Sequence, residues 1–500
     1  METQLETDLT DAQSVPPPAA DLVAALQAVL PPNCVLHREE DTRPYECDGL
    51  ALYRALPAVV CLPENEAQVQ AIMRVCSRLN APVVPRGAGT GLAAGAMPHP
   101  HGVLLGLSKL NRIKRIDERN LLAVVESGVR NLAISEAAAP FGLYYAPDPS
   151  SQVACSIGGN VAGNAGGVRC MKYGLTVHNV VRVRMVTIDG DIIELGSEAP
   201  DAAGLDLLAV FIGSEGMLGI VTEVTVKLLP QPDCARVVLA SFSSVEAAGN
   251  AVNQLVAAGI TPAGLEMMDR QAIHIVEPFV HAGYDMSAQA ILLCESDGAS
   301  DDVAHEVACM TAVLQAAGAT RLQVSSTEAE RLRFWAGRKN ALPAAGRVSP
   351  DYYCMDGTIP RRHLARVLTA IQQLEDEFGL RCANVFHAGD GNLHPLILFD
   401  ADKPGERERA DKFGVAILEL CIQVGGTVTG EHGVGLDKIN QMCMQFSRDE
   451  LDAFLAVKRA FDPHCLLNPQ KVIPTLARCA EYGKMHVHAG EISFPDLPRF

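Results

Sequence analysis

The sequence lacks the patterns that define several common classes of protein. It has 15 cysteines but no CxxC pair, so we expect neither an iron–sulfur cluster nor a structural zinc site bound by this chain. No uninterrupted apolar run is long enough to cross a bilayer, and the first residues, METQLETDLTD, do not resemble a signal peptide. Basic residues number 41 against 59 acidic residues. The net charge of −18 argues against a nucleic-acid partner and against direct binding to an anionic membrane.

The composition is that of a soluble globular protein with many glycines. Hydrophobic residues make up 48% and charged residues 20%, and 500 residues are too many for one ordinary core, so we expect at least two domains. Cys76, Cys294 and Cys421 lie in apolar stretches, which is typical of reduced cytosolic thiols that pack as small hydrophobes. Many of the 42 glycines are clustered, which indicates backbone that approaches a ligand closely.

The first half of the chain alternates short apolar strands with helices and glycine turns. We predict a strand over 57–62, a helix over 64–80 and a strand over 82–84, which together form a βαβ opening. In residues 222–228, the apolar residues at even positions share one face and the polar residues take the other, with Leu228 on the apolar face. This alternation predicts a half-exposed antiparallel sheet.

A domain boundary is expected at LLPQPDC, residues 228–234, because long amphipathic helices follow it. Two of these helices are predicted over 363–378, before Gly379, and over 411–424. The predicted organisation is an N-terminal tail with a lead-in helix (1–50), a first domain (51–232), a second domain (233–473) and a C-terminal tail (474–500).

Three glycine-rich turns lie beside strand-like sequence in the first domain. They are PVVPRGAGTGL (82–92), PDPSSQVACSIGGNVAGNAGG (147–167) and GSEGMLGIVTE (213–223). The first lacks the dinucleotide fingerprint, because position 92 is leucine, and it lacks the Gly-Lys-Ser/Thr of a P-loop. Its amide groups beside Arg86 can still bind a pyrophosphate. Three such turns suggest one long ligand along the backbone, such as FAD; flexible turns or exposed linkers are the alternative.

Two histidines flank a glycine turn in HAGDGNLHP, residues 387–395. A hairpin folded at Gly389–Gly391 would bring His387 and His394 to the same face. The segment GGTVTGEHGVGLDK, residues 425–438, adds Glu431 and His432. Two imidazoles and one carboxylate suit zinc, iron or manganese and leave coordination positions open for a substrate. Hydrogen-bonded core histidines and a solvated Glu–His pair are the alternative.

The glycine motifs PRGAGTGL, DPSSQVACSIGGNVAGNAGG and GSEGMLGIVTEVTVKLLP resemble the flavin domain of the vanillyl-alcohol oxidase/PCMH superfamily. The resemblance covers roughly residues 50–232. It implies that the following residues contact FAD: Arg86, Gly87, Ala88, Gly89, Thr90, Gly91, Pro149, Ser150, Ser151, Gly158, Gly159, Asn160, Gly163, Gly166, Glu215, Ile220 and Val221. The similarity of the C-terminal motifs, described next, implies Asn468 as a further FAD contact. Members with tethered flavin carry histidine or cysteine in these loops. Here only Cys155 is present, so we expect non-covalent FAD.

The motifs HAGDGNLHP, GEHGVG and DPHCLLNPQKV are similar to the C-terminal domain of the FAD-linked D-2-hydroxy-acid dehydrogenases. The similarity extends over nearly the whole chain. It implies an α+β fold: a PCMH-type FAD-binding domain of two α/β subdomains, then an α+β oxidase domain with an antiparallel sheet and flanking helices. It also implies that His387, His394 and Glu431 bind the metal and that His432 is the base. Arg338, in FWAGRKN, is a candidate to bind the substrate carboxylate.

The expected reaction is oxidation of a small 2-hydroxy acid, glycolate to glyoxylate or D-lactate to pyruvate, by hydride transfer to flavin N5. Leu396, close to the second histidine, offers no polar group to a longer dicarboxylate. The resemblance implies a second flavin-type subunit and an iron–sulfur subunit, and a cytoplasmic chain held at the inner membrane through these partners. The alternatives are a D-lactate dehydrogenase without partner subunits, a silent flavin-binding subunit, and a metallohydrolase. The last would leave the glycine turns without a purpose.

Overall fold

We describe the fold from a computed structural model, which covers residues 17–199 and 204–474 and two short strands at 487–488 and 491–492. The first 16 residues of the expected N-terminal tail, and the expected C-terminal tail apart from residue 474 and the two short strands, lie outside the described residues. No helix in the described ranges is both long enough and apolar enough to span a bilayer.

The first half of the chain contributes eleven strands and eight helices to the described fold. The strands are β1 Val35–Leu36, β2 Val59–Cys61, β3 Val83–Arg86, β4 Val103–Gly106, β5 Ile113–Asp117, β6 Leu122–Glu126, β7 Leu143–Tyr144, β8 Val180–Val186, β9 Ile192–Gly196, β10 Ile220–Lys227 and β11 Leu229–Pro230. The helices are α1 Ala19–Gln27, α2 Glu39–Thr42, α3 Glu66–Leu79, α4 Asn131–Ala138, α5 Ile157–Gly163, α6 Cys170–Tyr173, α7 Thr176–Asn179 and α8 Leu207–Phe211.

The second half is described by eleven strands and nine helices. The strands are β12 Cys234–Phe242, β13 Gly264–Asp269, β14 Ala290–Gly298, β15 Arg321–Val324, β16 Asp351–Cys354, β17 Gly357–Thr358, β18 Arg381–His387, β19 Asn392–Leu393, β20 Pro395–Phe399, β21 Val487–His488 and β22 Glu491–Ile492. The helices are α9 Val245–Ala257, α10 Arg270–Val280, α11 Ser300–Ala316, α12 Glu328–Lys339, α13 Ala341–Ala345, α14 Leu364–Phe378, α15 Glu406–Gln423, α16 Ile439–Gln445 and α17 Arg448–Phe461.

The first sheet has the order β1-β2-β4-β3 and contains the predicted βαβ opening. Strands β2 and β3 each pair in parallel with β4. Helix α3 connects them; the Asn65 side chain caps its N-terminus by accepting a hydrogen bond from the Gln68 amide. Its apolar face, which includes Val69, Ile72 and Cys76, is buried against the sheet. The βαβ prediction is confirmed, with element ends that differ by one or two residues.

The second sheet has the order β5-β6-β10-β8-β9 and is antiparallel throughout. Val224 and Val226 of β10 are fully buried, and Lys227 is exposed, as the alternation predicts. Thr225 was expected on the solvent side but is buried as well. The sheet is therefore covered at this position on both faces and is less exposed than the sequence indicated.

The second half forms a nine-stranded sheet in which β15-β12-β14-β13-β18-β19-β17 follow in order and β20 joins β18 to β16. Alternate residues of β12 serve two cores: Val238 and Ala240 pack with α9, α11, α14 and α15, whereas Val237 and Leu239 pack with α10, α12 and α13. Helices thus flank both faces of an antiparallel sheet. The predicted α+β fold class is confirmed.

Helix α14 matches the predicted helix within one residue and ends at Phe378, but α15 begins at Glu406, five residues before the predicted start. Its first turn is polar and carries no apolar periodicity that could have revealed it. Thirteen cysteines of the described chain are free thiols, in agreement with the expected chemistry. Cys443 is disulfide-bonded, so the expectation of reduced thiols is wrong at this residue.

Candidate active site

The hairpin expected from HAGDGNLHP is present and brings the two histidines together. Strand β18 ends at His387, which pairs across the turn with Asn392, and His394 lies just before β20. The imidazole ring centres of His387 and His394 are 5.0 Å apart, with the rings nearly perpendicular. Both residues are buried, so the pair lies inside the protein, at the end of β18.

Glu431 completes this cluster from a distant loop. One oxygen of its carboxylate, Oε1, lies 3.2 Å from Nε2 of His387 and 3.2 Å from Nε2 of His394. Metal–ligand bonds of about 2.0–2.2 Å at tetrahedral or octahedral angles separate neighbouring ligand atoms by about 3.0–3.5 Å. The spacing of these donor atoms therefore fits a single cation bound between them.

Two opposing effects set the charges of the cluster: burial disfavours the charged form of each group, and contact with an oppositely charged neighbour favours it. Burial alone would raise the pKa of Glu431, but the close imidazoles of His387 and His394 hold it well below its usual value. Burial would lower the pKa of His387, and the carboxylates of Glu266 and Glu431 raise it instead. The cluster therefore keeps a charged carboxylate in a largely buried position, where a bound cation would balance its charge.

Asp356 organises the loop that carries Glu431, and the sequence reading missed it. Its carboxylate accepts hydrogen bonds from the backbone amides of Gly430, Glu431 and His432, at 3.1, 3.1 and 2.9 Å. The Nζ atom of Lys438 lies 3.0 Å from the same group. Asp356 also lies near His394 and His432 with metal-ligand spacing, but an adjacent ammonium opposes a second cation there.

His432 packs parallel to His394, with ring centres 4.9 Å apart and 5° between the ring planes. Its Nδ1 atom is buried and has no hydrogen-bond partner among the described residues. Burial lowers the pKa of His432 to about 4. The imidazole is therefore neutral at physiological pH and has the protonation state of a general base.

Arg338 is buried near the C-terminal end of α12, so it is not the surface residue that its helix alone would suggest. Its Nε atom donates to Oε2 of Glu266 at 2.5 Å. Its Nη2 atom is buried and makes no hydrogen bond within the described ranges. Part of the guanidinium thus remains available to an anion.

A cavity of about 520 Å³ joins the two halves of the chain, and Arg338, His394, Glu431 and His432 line it. Most of the predicted flavin contacts line the same cavity. These are Gly87, Ala88, Gly89, Thr90, Gly91, Pro149, Ser150, Ser151, Gly158, Gly159, Asn160, Gly163, Glu215 and Val221. The glycine loops and the imidazole–carboxylate cluster therefore face one shared space.

Five of the predicted site residues are not among the residues that line this cavity: Arg86, Gly166, Ile220, His387 and Asn468. Arg86 turns away and donates to the carbonyl of Cys47 at 2.6 Å. Ile220 is fully buried in the core, since its neighbour Val221 takes the opposite, cavity-facing side of β10.

Gly166 contacts the cluster and not the cavity. A Cβ atom at this position would lie 2.6 Å from Oε2 of Glu431, closer than real Cβ atoms come. Gly158, earlier in the same glycine run, differs: its Cβ would lie 2.7 Å from Cβ of Ser127, at the wall of the cavity. The glycines of one motif thus make room for two different groups.

Glu215 and Asn468 join the two halves. The carboxylate of Glu215 accepts hydrogen bonds from the amides of Val434 and Gly435 at 2.7 and 2.8 Å, just beyond the Glu431 loop. The amide of Asn468 donates to the carbonyls of Gly95 and Glu215, and its oxygen accepts from Lys471. Both the nitrogen and the oxygen of its side-chain amide thus bind other protein groups. The position of Asn468 therefore gives no support to the predicted flavin contact.

Two family models match the chain: an FAD binding domain over residues 57–196 and the C-terminal domain of FAD linked oxidases over residues 231–472. Glycolate oxidase subunit GlcD of Escherichia coli (strain K12) is 60% identical over 479 residues, which cover 96% of each sequence. The chain belongs to the FAD-linked oxidase family. The resemblance found in the sequence is confirmed, and the chain is an FAD-linked oxidoreductase.

Other relatives extend this family. Glycolate oxidase subunit GlcD of Bacillus subtilis (strain 168) is 39% identical, covering 87% of this chain and 93% of that one. A D-lactate dehydrogenase of Anaerostipes hadrus is 32% identical, covering 88% and 95%. Among solved structures, substrate-bound p-cresol methylhydroxylase superposes with a TM-score of 0.76 at 17% identity, covering 90% of this chain and 96% of that one. That likeness supports the PCMH-type fold alone.

Proposed function

We propose that this FAD-linked oxidase oxidises a small 2-hydroxy acid, with glycolate or D-lactate as substrate, using FAD and a divalent cation. The observation that carries the proposal is the shared cavity, in which Arg338, His394, Glu431 and His432 face the glycine loops. A hydroxy acid needs an anchor for its carboxylate, a base for its hydroxyl and an acceptor for its hydride. The cavity contains a candidate group or binding surface for each.

The site has a suitable set of residues for each of the two groups to be bound, the divalent cation and FAD. Two imidazole nitrogens and a carboxylate oxygen lie within 4.8 Å of one another, and His387, His394 and Glu431 would hold zinc, iron or manganese. The glycine loops have few side chains, so their backbone can approach FAD closely. When bound, FAD supplies the acceptor for the substrate hydride, and the cation supplies Lewis acidity that lowers the pKa of the substrate hydroxyl.

The side chains of this protein divide the remaining tasks. Arg338, with Nη2 unpartnered in the described structure, binds the substrate carboxylate by a charge-assisted hydrogen bond. His432 takes the hydroxyl proton, and we assign it to Nδ1, the ring nitrogen left without a partner in the described chain.

The apolar part of the cavity favours a small substrate. Leu342, Val385 and Leu396 line it together with Arg338 and His394. A pocket of this kind separates substrates that differ by one methyl by only about 1–3 kcal/mol. Glycolate and D-lactate are therefore both candidates.

We propose that FAD is held without a covalent bond. Cys155 is the one cysteine in the first two flavin loops and it lines the cavity. Burial raises the pKa of its thiol above the usual value, so the reactive thiolate is disfavoured.

Electron transfer to other subunits is part of the proposal. The GlcD relatives are named as subunits, and this sequence has no CxxC motif for a cluster of its own. We propose a second flavin-type subunit and an iron–sulfur subunit as partners, a non-oxygen acceptor, and a cytoplasmic location, at the inner membrane through the partners. A D-lactate dehydrogenase without partners is the second candidate; the name of the relative from Anaerostipes hadrus supports D-lactate as the substrate. A metallohydrolase is disfavoured, because the glycine loops face the same cavity.

The test is an anaerobic titration of the purified chain, with metal and flavin content measured first. We expect a yellow protein that contains about one FAD and one divalent cation per chain and loses its visible flavin absorbance on addition of glycolate or D-lactate. The rates with glycolate and with D-lactate are compared, and each is measured for the chain alone and with its partners present. Turnover of D-lactate by the chain alone would favour the second candidate. A protein that binds FAD but keeps its absorbance with every 2-hydroxy acid tested would exclude the proposed reaction.

A further inference from the structure

We infer that Glu266 is a positioning residue shared by the metal site and the substrate anchor. The inference rests on the proposed function, because it assigns a task to a residue that contacts His387 and Arg338. One oxygen of its carboxylate, Oε1, lies 2.7 Å from Nδ1 of His387. The other, Oε2, accepts the hydrogen bond from Nε of Arg338 at 2.5 Å.

The sheet places Glu266 for this task. It lies in the middle of β13 and is the direct cross-strand partner of His387 on β18. Directly opposed residues of an antiparallel pair have side chains within reach on one face, so the register alone brings the carboxylate to the imidazole. Glu266 is completely buried, and both contacts are therefore shielded from solvent.

The contact with His387 decides which ring nitrogen can bind a cation. A carboxylate accepts but does not donate, so Nδ1 of His387 must carry the proton that lies between the two groups. The nitrogen left to give up its proton to a cation is Nε2, which lies 3.2 Å from Oε1 of Glu431. Glu266 thus holds the imidazole in the tautomer and ring orientation that metal binding needs.

The contact with Arg338 decides which edge of the guanidinium faces the cavity. Glu266 occupies Nε, while Nη2 stays without a partner in the described part of the chain. The free edge is the part that can bind a carboxylate. One buried carboxylate therefore orients the cation ligand and the anion anchor relative to each other, and sets the spacing at which a hydroxy acid meets both.

An amide in place of this carboxylate can accept a hydrogen bond from only one of the two neighbours, His387 or Arg338. The amide of Glu266→Gln has one oxygen, whereas His387 and Arg338 both present N–H donors. If the oxygen accepts from Arg338, which is always charged, the NH₂ group donates to Nδ1 of His387 and moves the ring proton to Nε2. A cation can then bind only after the ring proton has left Nε2 again, which lowers the metal affinity.

The experiment compares Glu266→Gln with Asp269→Asn in the full chain. Asp269 is a buried carboxylate on the same strand that also bonds across to β18, through Asn384, but it contacts neither His387 nor Arg338 in the hydrogen bonds described. For each protein we measure FAD content, affinity for Mn²⁺ and Zn²⁺, and the kcat and KM for glycolate and D-lactate at saturating metal.

We expect Glu266→Gln to retain FAD, to lose about 10–100-fold in metal affinity, and to show a raised KM even when the metal site is saturated. Asp269→Asn should match the wild type in all three readouts. Wild-type metal affinity and KM in Glu266→Gln would overturn the inference, and so would a change in only one of the two. A wild-type chain that binds no metal or oxidises neither acid contradicts the proposed function instead, so the two failures are distinguishable.

Discussion

The two walls of the cavity are built in opposite ways. The wall from the first half consists mostly of glycine and small residues, such as those from Gly87 to Gly91, and it offers backbone. The wall from the second half combines charged and imidazole side chains, including Glu431 and His432, with apolar side chains such as Leu342 and Leu396. A wall formed by backbone requires residues without large side chains. A wall formed by side chains requires other residues that hold each side chain in place.

The second wall is held by three carboxylates, of which Glu266 and Asp356 are completely buried. Glu266 holds His387 and Arg338, Asp356 holds the amides of the Glu431 loop, and Glu215 reaches from the first half to hold the amides that follow. Glu215 has a positive φ of 51°, an uncommon backbone conformation that such fixed contacts can stabilise. The difference teaches that a glycine-rich wall can be recognised from amino-acid composition, whereas a wall of polar side chains depends on partners elsewhere in the chain.

The sharpest test of this comparison removes a side chain from the second wall. We expect His432→Gln to lower kcat by about 10²–10⁴-fold, because the hydroxyl proton loses its acceptor. FAD content should not change, since the first wall is intact. Anaerobic flavin bleaching measures the rate, and His274→Gln, an exposed imidazole change on α10, is the control. Full turnover by His432→Gln with FAD bound would remove His432 as the base.

The same substitution at two glycines of one motif tests whether the walls are independent. Gly158→Ala would press against Ser127, so we expect FAD affinity to fall about tenfold or more, with the metal site retained. Gly166→Ala would press against Glu431, so we expect metal affinity to fall about 10–100-fold with FAD retained. Absorbance and elemental analysis after dialysis measure both contents. If both variants lost FAD, or both lost the cation, the two walls would not bind their ligands independently.

The smallest expected effect concerns substrate size. Leu396 lines the cavity, whereas Leu398, two residues further on the same face of β20, does not appear among the lining residues. We expect Leu396→Ala to improve kcat/KM for a longer 2-hydroxy acid relative to glycolate by about tenfold. Leu398→Ala should leave that ratio unchanged, although both variants lose about 2–5 kcal/mol of unfolding free energy. Equal ratios in the two variants would show that Leu396 does not limit substrate size.

Local periodicity predicted those parts of the fold that depend on neighbours in sequence. The apolar face of α14 and the strand–helix–strand opening are confirmed because each is dictated by spacing within one element. Thr225 and the start of α15 were missed since burial of a polar residue and a polar first turn follow from packing with distant elements. Glu266 and Asp356 carried no local signal, as their partners lie far away in sequence.

The sequence by itself determined the glycine loops, the hairpin that carries His387 and His394, and the presence of Glu431 and His432 in a second glycine turn. These features are local, since chain conformation over a few residues follows from glycine content and apolar alternation. Only the tertiary structure decided that Glu431 lies 3.2 Å from both imidazoles, that Gly166 clears space for it, and that Glu266 joins His387 to Arg338. Strand register and domain packing set those distances, and neither is encoded in a short stretch of sequence.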